Sequence, residues 1–489
     1  MRLWRDIPRL GRFGGSAFAL TFVLAFARRA HADPLPTDDY AIDLFQGPLL
    51  SPVRVMALGG AYAGLAEDLP GLVSNSAAPA VRKMHALRHV EVDFSGSFSI
   101  PIDAFDNNDF DNSGDIDDEY SDFVYATAGV NVQVGAFGAG LLAEAQTYQI
   151  TSNGSGKTAV VVGKFHALAG YAFVDGQVCV GGGVRGVTMG FDAVDADPIY
   201  AGVSPELGIL LKPSAIPFRF GATLRFPVVA TLVSQEPPAR DANQPVSTVG
   251  GLVLPRRVIE PWEIETGIAF QIGPRPLNVR FIDPEDVDDR AEAAVRVARR
   301  ARAAERERIL AEAASGEARA AARSELDDRE ADLRAREDDW ITREESWALG
   351  RQDDHLAALP RERFLALFSL VATGAVENGV GIEDFLAQSV DGKSGRGVIG
   401  TSGAGVNFSP RFGIEVEPVA NLLILRAGSY YEPNRFGDIG RQHFTFGAHL
   451  RLLSTNFWGL LPEVGYGIEA GLDVAPRYQS LSATISVYR

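Results

Sequence analysis

The sequence predicts an all-β transmembrane barrel of about 14 antiparallel strands, interrupted by an inserted periplasmic α-helical hairpin. Three observations carry this expectation. The amino terminus reads as an export signal, most of the chain alternates with a period of two, and residues 283–356 change to a helical period. At 46% hydrophobic residues the chain is too apolar for a disordered one, and no run beyond the amino terminus reaches the length of a spanning helix. A polytopic helical membrane protein is thereby excluded.

Residues 1–32 carry Arg2, Arg5, Arg9 and Arg12, then an apolar stretch over 17–27, then Ala30-His31-Ala32 before Asp33. Basic region, apolar run and A-x-A site make a secretory signal, too short in its apolar part to span comfortably. The mature chain is expected to begin in the periplasm of a double-membraned bacterium. Its single cysteine, Cys179, permits no intrachain disulfide and no cysteine-based zinc site.

From about residue 88 the alternation is regular. Val90, Val92, Phe94, Phe98, Ile100 and Ile102 form one such run, and Leu481, Ala483, Ile485 and Val487 form the last. Fourteen segments follow from the turn chemistry: 88–102, 122–134, 137–151, 158–174, 177–190, 203–213, 217–234, 258–273, 361–375, 397–417, 421–431, 442–455, 463–474 and 479–488. Tight connections include Gly135-Ala136, Asp175-Gly176, 213–216 and 418–420; long ones include 103–121, 191–202, 235–257, 376–396 and 432–441. Short inner turns, long outer loops and an even strand number are the pattern of outer-membrane barrels. Both termini then lie on the periplasmic side.

Before the first strand, residues 56–75 read MALGGAYAGLAEDLPGLVSN and do not alternate. This stretch resembles the amino-terminal segment of FadL-type outer-membrane transporters of long-chain fatty acids and hydrocarbons. The matching positions are Gly59, Gly60, Ala61, Tyr62, Gly64, Ala66, Glu67, Asp68, Gly71 and Asn75; Ser76 stands where the family has proline, and Pro79-Ala80 follows. Residues 426–433 (RAGSYYEP) and 443–447 (HFTFG) resemble a late strand, loop and strand of that family. The resemblance implies that 33–87 form an N-terminal plug inside a fourteen-stranded barrel. It also implies that a hydrophobic ligand passes from an outer groove to an inner pocket and leaves through a gap in the wall. Gly59, Gly60, Ala61, Tyr62, Glu67, Asp68 and Asn75 are the expected plug and gating residues. Glycines let backbone approach the wall closely, and the polar residues satisfy lumen groups.

The formal net charge of −17 has two sources. Residues 103–122 hold nine acids and no Lys or Arg, and within them Asp109, Asp111, Ser113, Asp115 and Asp117 take alternate places of a calcium loop, with Gly114 at its sharp turn. Tyr120 stands where the loop needs a bidentate Glu. Ca2+ is the one cofactor this suggests; a solvated acidic loop is the plainer reading. Residues 283–356 hold 22 acids and 14 Arg, with Leu326, Leu333, Trp340 and Trp347 every seventh residue and Val287, Ala291, Ala294, Ala298 and Ala301 in the earlier half. Ser315-Gly316 supplies a break, so the two arms are expected to pack antiparallel, Ala stripe against Leu/Trp stripe. Leu326, Leu333, Trp340 and Trp347 are also the candidate residues for binding a periplasmic protein partner.

No G-x-S-x-G, H-E-x-x-H or Walker sequence occurs, and His166, His355, His443 and His449 have no ligand-like partners in sequence. No catalytic residue is named, and no enzyme activity is expected. Acidity argues against nucleic acid. The expected organisation is a signal peptide over 1–32, a plug over 33–87, strands one to eight over 88–282, the helical insertion over 283–360 and strands nine to fourteen over 361–489. The expected function is diffusion-driven uptake of hydrophobic small molecules, long-chain fatty acids among them, across the outer membrane and in contact with its lipid. The alternative is a non-transporting barrel serving as a scaffold or secretion partner through the hairpin.

Overall fold

The computed structural model describes residues 39–45, 47–82, 88–101, 112, 120–152, 156–191, 197–234, 248–249, 252–281, 283–358, 363–382, 385, 401–419, 422–455 and 464–488. Fourteen antiparallel strands form a closed barrel. They are β1 (Val90–Pro101), β2 (Tyr120–Val134), β3 (Phe137–Ser152), β4 (Gly156–Phe173), β5 (Val178–Phe191), β6 (Ile199–Leu211), β7 (Phe218–Arg225, resuming as Val228–Leu232) and β8 (Arg257–Glu260, resuming as Glu263–Ile272). After the helices come β9 (Phe364–Thr373), β10 (Asn407–Val419), β11 (Leu423–Glu432), β12 (Arg441–Thr455), β13 (Val464–Ala475) and β14 (Tyr478–Tyr488). The ring closes where β14 pairs with β1, from Phe94 against Val487 to Pro101 against Ser480. Closure leaves no sheet edge, the condition for strands to stand in hydrocarbon. Among the described residues no helix is long and apolar enough to cross a membrane.

The alternation in the sequence becomes two faces. On β1, Val90, Val92, Phe94, Phe98 and Ile100 point outward with 38–58% of their surface exposed, while Glu91, Asp93, Ser97 and Ser99 point into the lumen and are at most 8% exposed. Every strand that offers both kinds of residue repeats this, as a lipid-facing barrel requires. Most expected boundaries fall within a few residues of the observed ones. The tenth strand, expected from 397, starts at Asn407 instead. Gly403 adopts φ +73° in the stretch just before it, and Ser402 bridges to Gly379, so the chain there has not yet joined the wall. Connections at the loop end are not all long either: Pro476 and Arg477 alone join β13 to β14.

Residues 47–82 fill the hairpin-side half of the barrel. They include the short helix α1 (Val53–Ala57), two 3-10 turns and a chain of buried small residues. The wall facing them is stripped of side chains at the points of contact. A Cβ on Gly138 would strike the Pro79 carbonyl, one on Gly221 the Ala63 carbonyl, one on Gly181 the Ser76 carbonyl, and one on Gly428 the backbone N of Gly59. Glycines on strands spread around the ring therefore seat the segment directly on the wall backbone.

Between β8 and β9 the chain first runs along the rim. Asn278 donates through Nδ2 to the carbonyls of Pro213, Ile216 and Phe218 at 2.8, 3.1 and 2.9 Å; Arg280 pairs with Asp175 at 2.8 Å; and Asp283 reaches His89 at 2.9 Å. Asp283 also caps α2 (Pro284–Glu312) by accepting from the Glu285 N–H, and α3 (Gly316–Ala358) returns antiparallel to it. Cross-helix ion pairs set the register: Arg299 with Glu337 at 2.8 Å, Arg302 with Glu330 at 3.0 Å, and Arg306 with Asp327.

The expected stripes are rotated. On α2 the inward positions are Ala291, Val295, Arg299, Arg302 and Arg306, and the expected Ala294, Ala298 and Ala301 face solvent. On α3, Leu326 and Leu333 are half-buried, whereas Trp340 is 38% and Trp347 59% exposed. A strict seven-residue repeat drifts about 20° per heptad around a straight helix. Three heptads carry Trp347 out of an interface that Leu326 still touches, and Glu330 and Glu337 take the inward places.

Replacing Gly221 by Leu, or Gly138 by Val, should unseat the plug while the barrel stays closed. Planar-bilayer recordings should show raised conductance with heat-modifiable gel mobility retained. Gly405→Ala, where a Cβ meets nothing within 4 Å, should leave both readouts at wild type.

Candidate functional site

The lumen is divided into a polar floor and an apolar upper layer, and the plug carries the floor. Arg54 on α1 donates from Nη1 to Asp68 at 2.9 Å, from Nη2 to Glu67 at 3.2 Å and from Nε to Glu415 of β10 at 3.2 Å. Glu67 also pairs with Arg219 of β7 at 3.0 Å and Arg363 at the foot of β9 at 3.2 Å. Glu415 receives Arg363 at 3.1 Å and Arg426 of β11 at 2.8 Å, and Glu469 of β13 closes the web through Arg426 and His449. One network thus joins the plug to six strands or their feet. Burial by itself would raise the Glu67 carboxyl; the Arg363, Arg219 and Arg54 guanidiniums overcome it and hold the group well below the usual carboxylate range.

The plug residues named from the resemblance come together here. Gly59 at φ +60° turns the chain after α1 and donates its N–H to Thr445 Oγ1 at 3.1 Å. Tyr62 is fully buried, donates its hydroxyl to the Glu67 carbonyl at 3.0 Å and lies 5.4 Å beneath the Arg54 guanidinium. Asn75 donates to the carbonyls of Ala63 and Ile209 at 3.0 and 3.1 Å and accepts from the Ala77 N–H at 2.9 Å, which fastens the end of the plug to β6. Ser76 makes a bond that a proline at this place would lack: its Oγ donates to Glu206 Oε2 at 3.0 Å, and Glu206 in turn holds His166 at 2.7 Å.

Above the floor the lumen wall turns apolar. Val160, Val162, Val187, Met189, Phe191, Val228, Ala230 and Val258 line it on β4, β5, β7 and β8. Tyr40, Ile42 and Leu44 pack against them from inside, and Phe385 and Ile382 close them from the loop end. The innermost piece, Ala41–Asp43, is a three-residue strand bonded in parallel to Arg257–Ile259 on one side and to Gly379 and Val380 on the other. Asp43 ties its end down, accepting from Arg435 Nε at 2.6 Å and Ser402 Oγ at 2.8 Å.

At the boundary between the two layers the wall is broken. The ladder pairs Arg225 with Glu263 and Val228 with Glu260, so Phe226-Pro227 faces Pro261-Trp262 with strand geometry lost on both sides. Each proline lacks the N–H a ladder needs. The orphaned carbonyls are met from the lumen by buried Arg185, which donates to Phe226 O at 2.8 Å and to Pro261 O at 2.7 Å. Outside, Phe226 is 41% exposed.

Other expected sites fare differently. Asp109, Asp111, Ser113, Asp115 and Asp117 lie outside the described residues, as does the signal over 1–32. Leu326 and Leu333 are spent on the hairpin's own interface, so only Trp340 and Trp347 of that set remain accessible. Sequence reading missed Arg54, Arg219, Arg363, Glu415, Arg426 and Arg185. For Arg185, Arg219, Glu415 and Arg426 the available signal was a charge set within an alternating strand run; Arg54 and Arg363 lie outside such runs.

No family model matches the chain, and no curated protein matches it. Among solved structures it is similar to a Pseudomonas aeruginosa FadL homologue at 10% identity and TM-score 0.45, covering 91% of this chain and 98% of that one. It is also similar to the CymD monoaromatic hydrocarbon channel at 9% identity and TM-score 0.42, covering 90% and 96%. A third is the Pseudomonas putida toluene transporter TodX, at 11% identity and TM-score 0.43, covering 90% and 98%. The barrel described above rests on its own strand ladder.

Glu67→Gln removes the charge that three guanidiniums share and should cost about 3 kcal/mol or more of plug stability, the scale for breaking a buried pair. Hydrogen exchange of residues 54–75 should accelerate while strand amides stay protected. Because the folded carboxyl lies below its unfolded value of roughly 4.3, its contribution is complete above that pH. Protection of the plug should be flat from neutral pH down to about 5 and fall only as pH drops toward the depressed value.

Proposed function

We propose that the chain is a FadL-type channel of the bacterial outer membrane that takes up hydrophobic small molecules by diffusion, without ATP or a covalent step. The observation that carries this reading is the apolar layer inside the loop-side half of the lumen. A water-filled pore lines its interior with polar groups; here sixteen buried apolar residues gather above an ion-paired floor. A ligand rich in hydrocarbon gains by leaving water for such a layer at roughly 25 cal/mol per Å2 buried, and the ion-paired plug below denies it a straight path. The export signal, the short turns at the hairpin end and the outward apolar belt support an outer-membrane setting with the hairpin in the periplasm.

In this reading Tyr40, Ile42 and Leu44 occupy the place a ligand takes, and the ligand leaves sideways at the Phe226-Pro227/Pro261-Trp262 seam. There two prolines have already removed ladder bonds, and Arg185 is the internal staple. Long-chain fatty acids are the ligand class we favour. A second role belongs to the hairpin: Trp347 and Val297, 59% and 68% exposed, favour its docking to a periplasmic protein.

Uptake of labelled long-chain fatty acid should fall several-fold in cells lacking the gene and return with the wild-type copy. A Phe226→Cys/Trp262→Cys pair should restore uptake only under reduction, because oxidation would lock the seam. Uptake unchanged by the deletion for fatty acids and for alkanes alike would sink the channel reading.

A further inference from the structure

The base of the hairpin and the barrel rim enclose a cleft of about 540 Å3, within the range of small-molecule sites. Its floor is apolar, made by Val279 of the rim segment, Val287 and Ala291 of α2, and Trp340 and Ala348 of α3. Its margin is basic: Arg280, Arg290, Arg351 and His355 line it, against one carboxylate, Glu344.

Eight other arginines of the hairpin, Arg296, Arg299, Arg302, Arg306, Arg308, Arg334, Arg336 and Arg343, are already engaged with carboxylates. Arg290 uses its Nε on the Asp286 backbone carbonyl at 2.7 Å, and neither it nor Arg351 is ion-paired among the described residues. Both line the cleft at the base of the hairpin, beside Val279 and Arg280 of the rim segment. Trp340, turned out of the helix interface by the heptad drift, is turned into this cleft.

We propose that the cleft binds an anionic amphiphile, an alkyl chain lying on Val279, Val287, Ala291 and Trp340 with its anion held by Arg290 and Arg351. The site deepens the channel reading and rests on it for the ligand's origin. A guanidinium pair suits a carboxylate or a phosphodiester alike. The amphiphile therefore has two sources, a carboxylate that the channel has delivered or a phospholipid of the adjacent leaflet. Either way the site lies on the hairpin side of the plug and is separate from the apolar layer within the lumen. Arg280 is engaged with Asp175 at 2.8 Å and serves to fix the rim wall of the cleft.

The test uses the full chain in non-ionic detergent, in a Trp4→Phe/Trp262→Phe/Trp347→Phe/Trp458→Phe background that leaves Trp340 as the single tryptophan, with ω-bromoundecanoate as quencher of its fluorescence. Saturable quenching is expected, weakened about tenfold or more by Arg290→Gln/Arg351→Gln and by use of the methyl ester, and absent in Trp340→Phe. Quenching by the ester equal to that by the acid, or unchanged in the double arginine variant, overturns the site. Competition then assigns the source. Displacement by dihexanoyl phosphatidylglycerol at lower concentration than by undecanoate points to leaflet lipid, and the reverse order to delivered carboxylate. If uptake by cells is abolished by deletion but this binding is absent, the cleft fails and the channel stands; if binding is present and uptake is untouched by deletion, the channel reading fails alone.

Discussion

The interior of this protein depends on Glu67 and the three guanidiniums that reach it from α1, β7 and the foot of β9. A fourteen-stranded wall encloses more space than its own side chains can fill, so the lumen needs a filler. The plug supplies it at a cost. Ala66 and Asp68 sit at φ +47° and +59°, a region where residues with a Cβ are strained by about 1–3 kcal/mol each. These two residues flank Glu67. The strained turn aims the carboxylate at Arg219 and Arg363 while Asp68 meets Arg54, so distortion of the backbone and placement of the charge are one feature. Wall glycines then let the rest of the plug settle against the strands without side chains between.

Because the floor is ionic, hydrophobic material is confined to the level above it, and the wall breaks at the transition. Below the break Arg225 pairs with Glu263 at 3.4 Å; above it Val228, Ala230 and Val258 begin the apolar layer. Arg185 belongs to both regimes. Its guanidinium lies near Glu260 and Glu263, at 3.4 and 3.6 Å, and still caps the two carbonyls left bare by the prolines. One buried cation thus serves both charge balance and wall continuity at the seam.

How much of this could be read beforehand follows from what each signal depends on. Strand identity depends only on parity within one strand, so the alternation of β1 or β14 was plain from Val90 to Ile100 or Leu481 to Val487, while which parity meets the lumen was not. The plug positions Gly59, Tyr62, Glu67, Asp68 and Asn75 were legible as a local motif. Arg54, Arg363, Glu415 and Arg426 were not, since Arg54 of the plug meets Glu415 from 361 residues away in the chain and the wall members meet only in the right register, where a slip of one residue reverses every face. Ser76 was marked only as a departure from the family pattern; the bond to Glu206 that gives it a purpose comes from β6.

The hairpin shows the same limit in another form: its period was legible, its phase was not. A seven-residue repeat faces a partner throughout only if both helices supercoil, and these arms hold together through half-buried arginine–carboxylate pairs. Such pairs impose register without the apolar seam that drives supercoiling. The tryptophans accordingly lie more exposed toward the base. There the hairpin is anchored to the rim, with Asp283 on His89, Arg280 on Asp175 and the Phe281 ring 4.1 Å from the Arg82 guanidinium of the plug's end. A ligand lodged beside Trp340 thus touches the one part of the hairpin that is mechanically continuous with the rim and, through Arg82, with the plug.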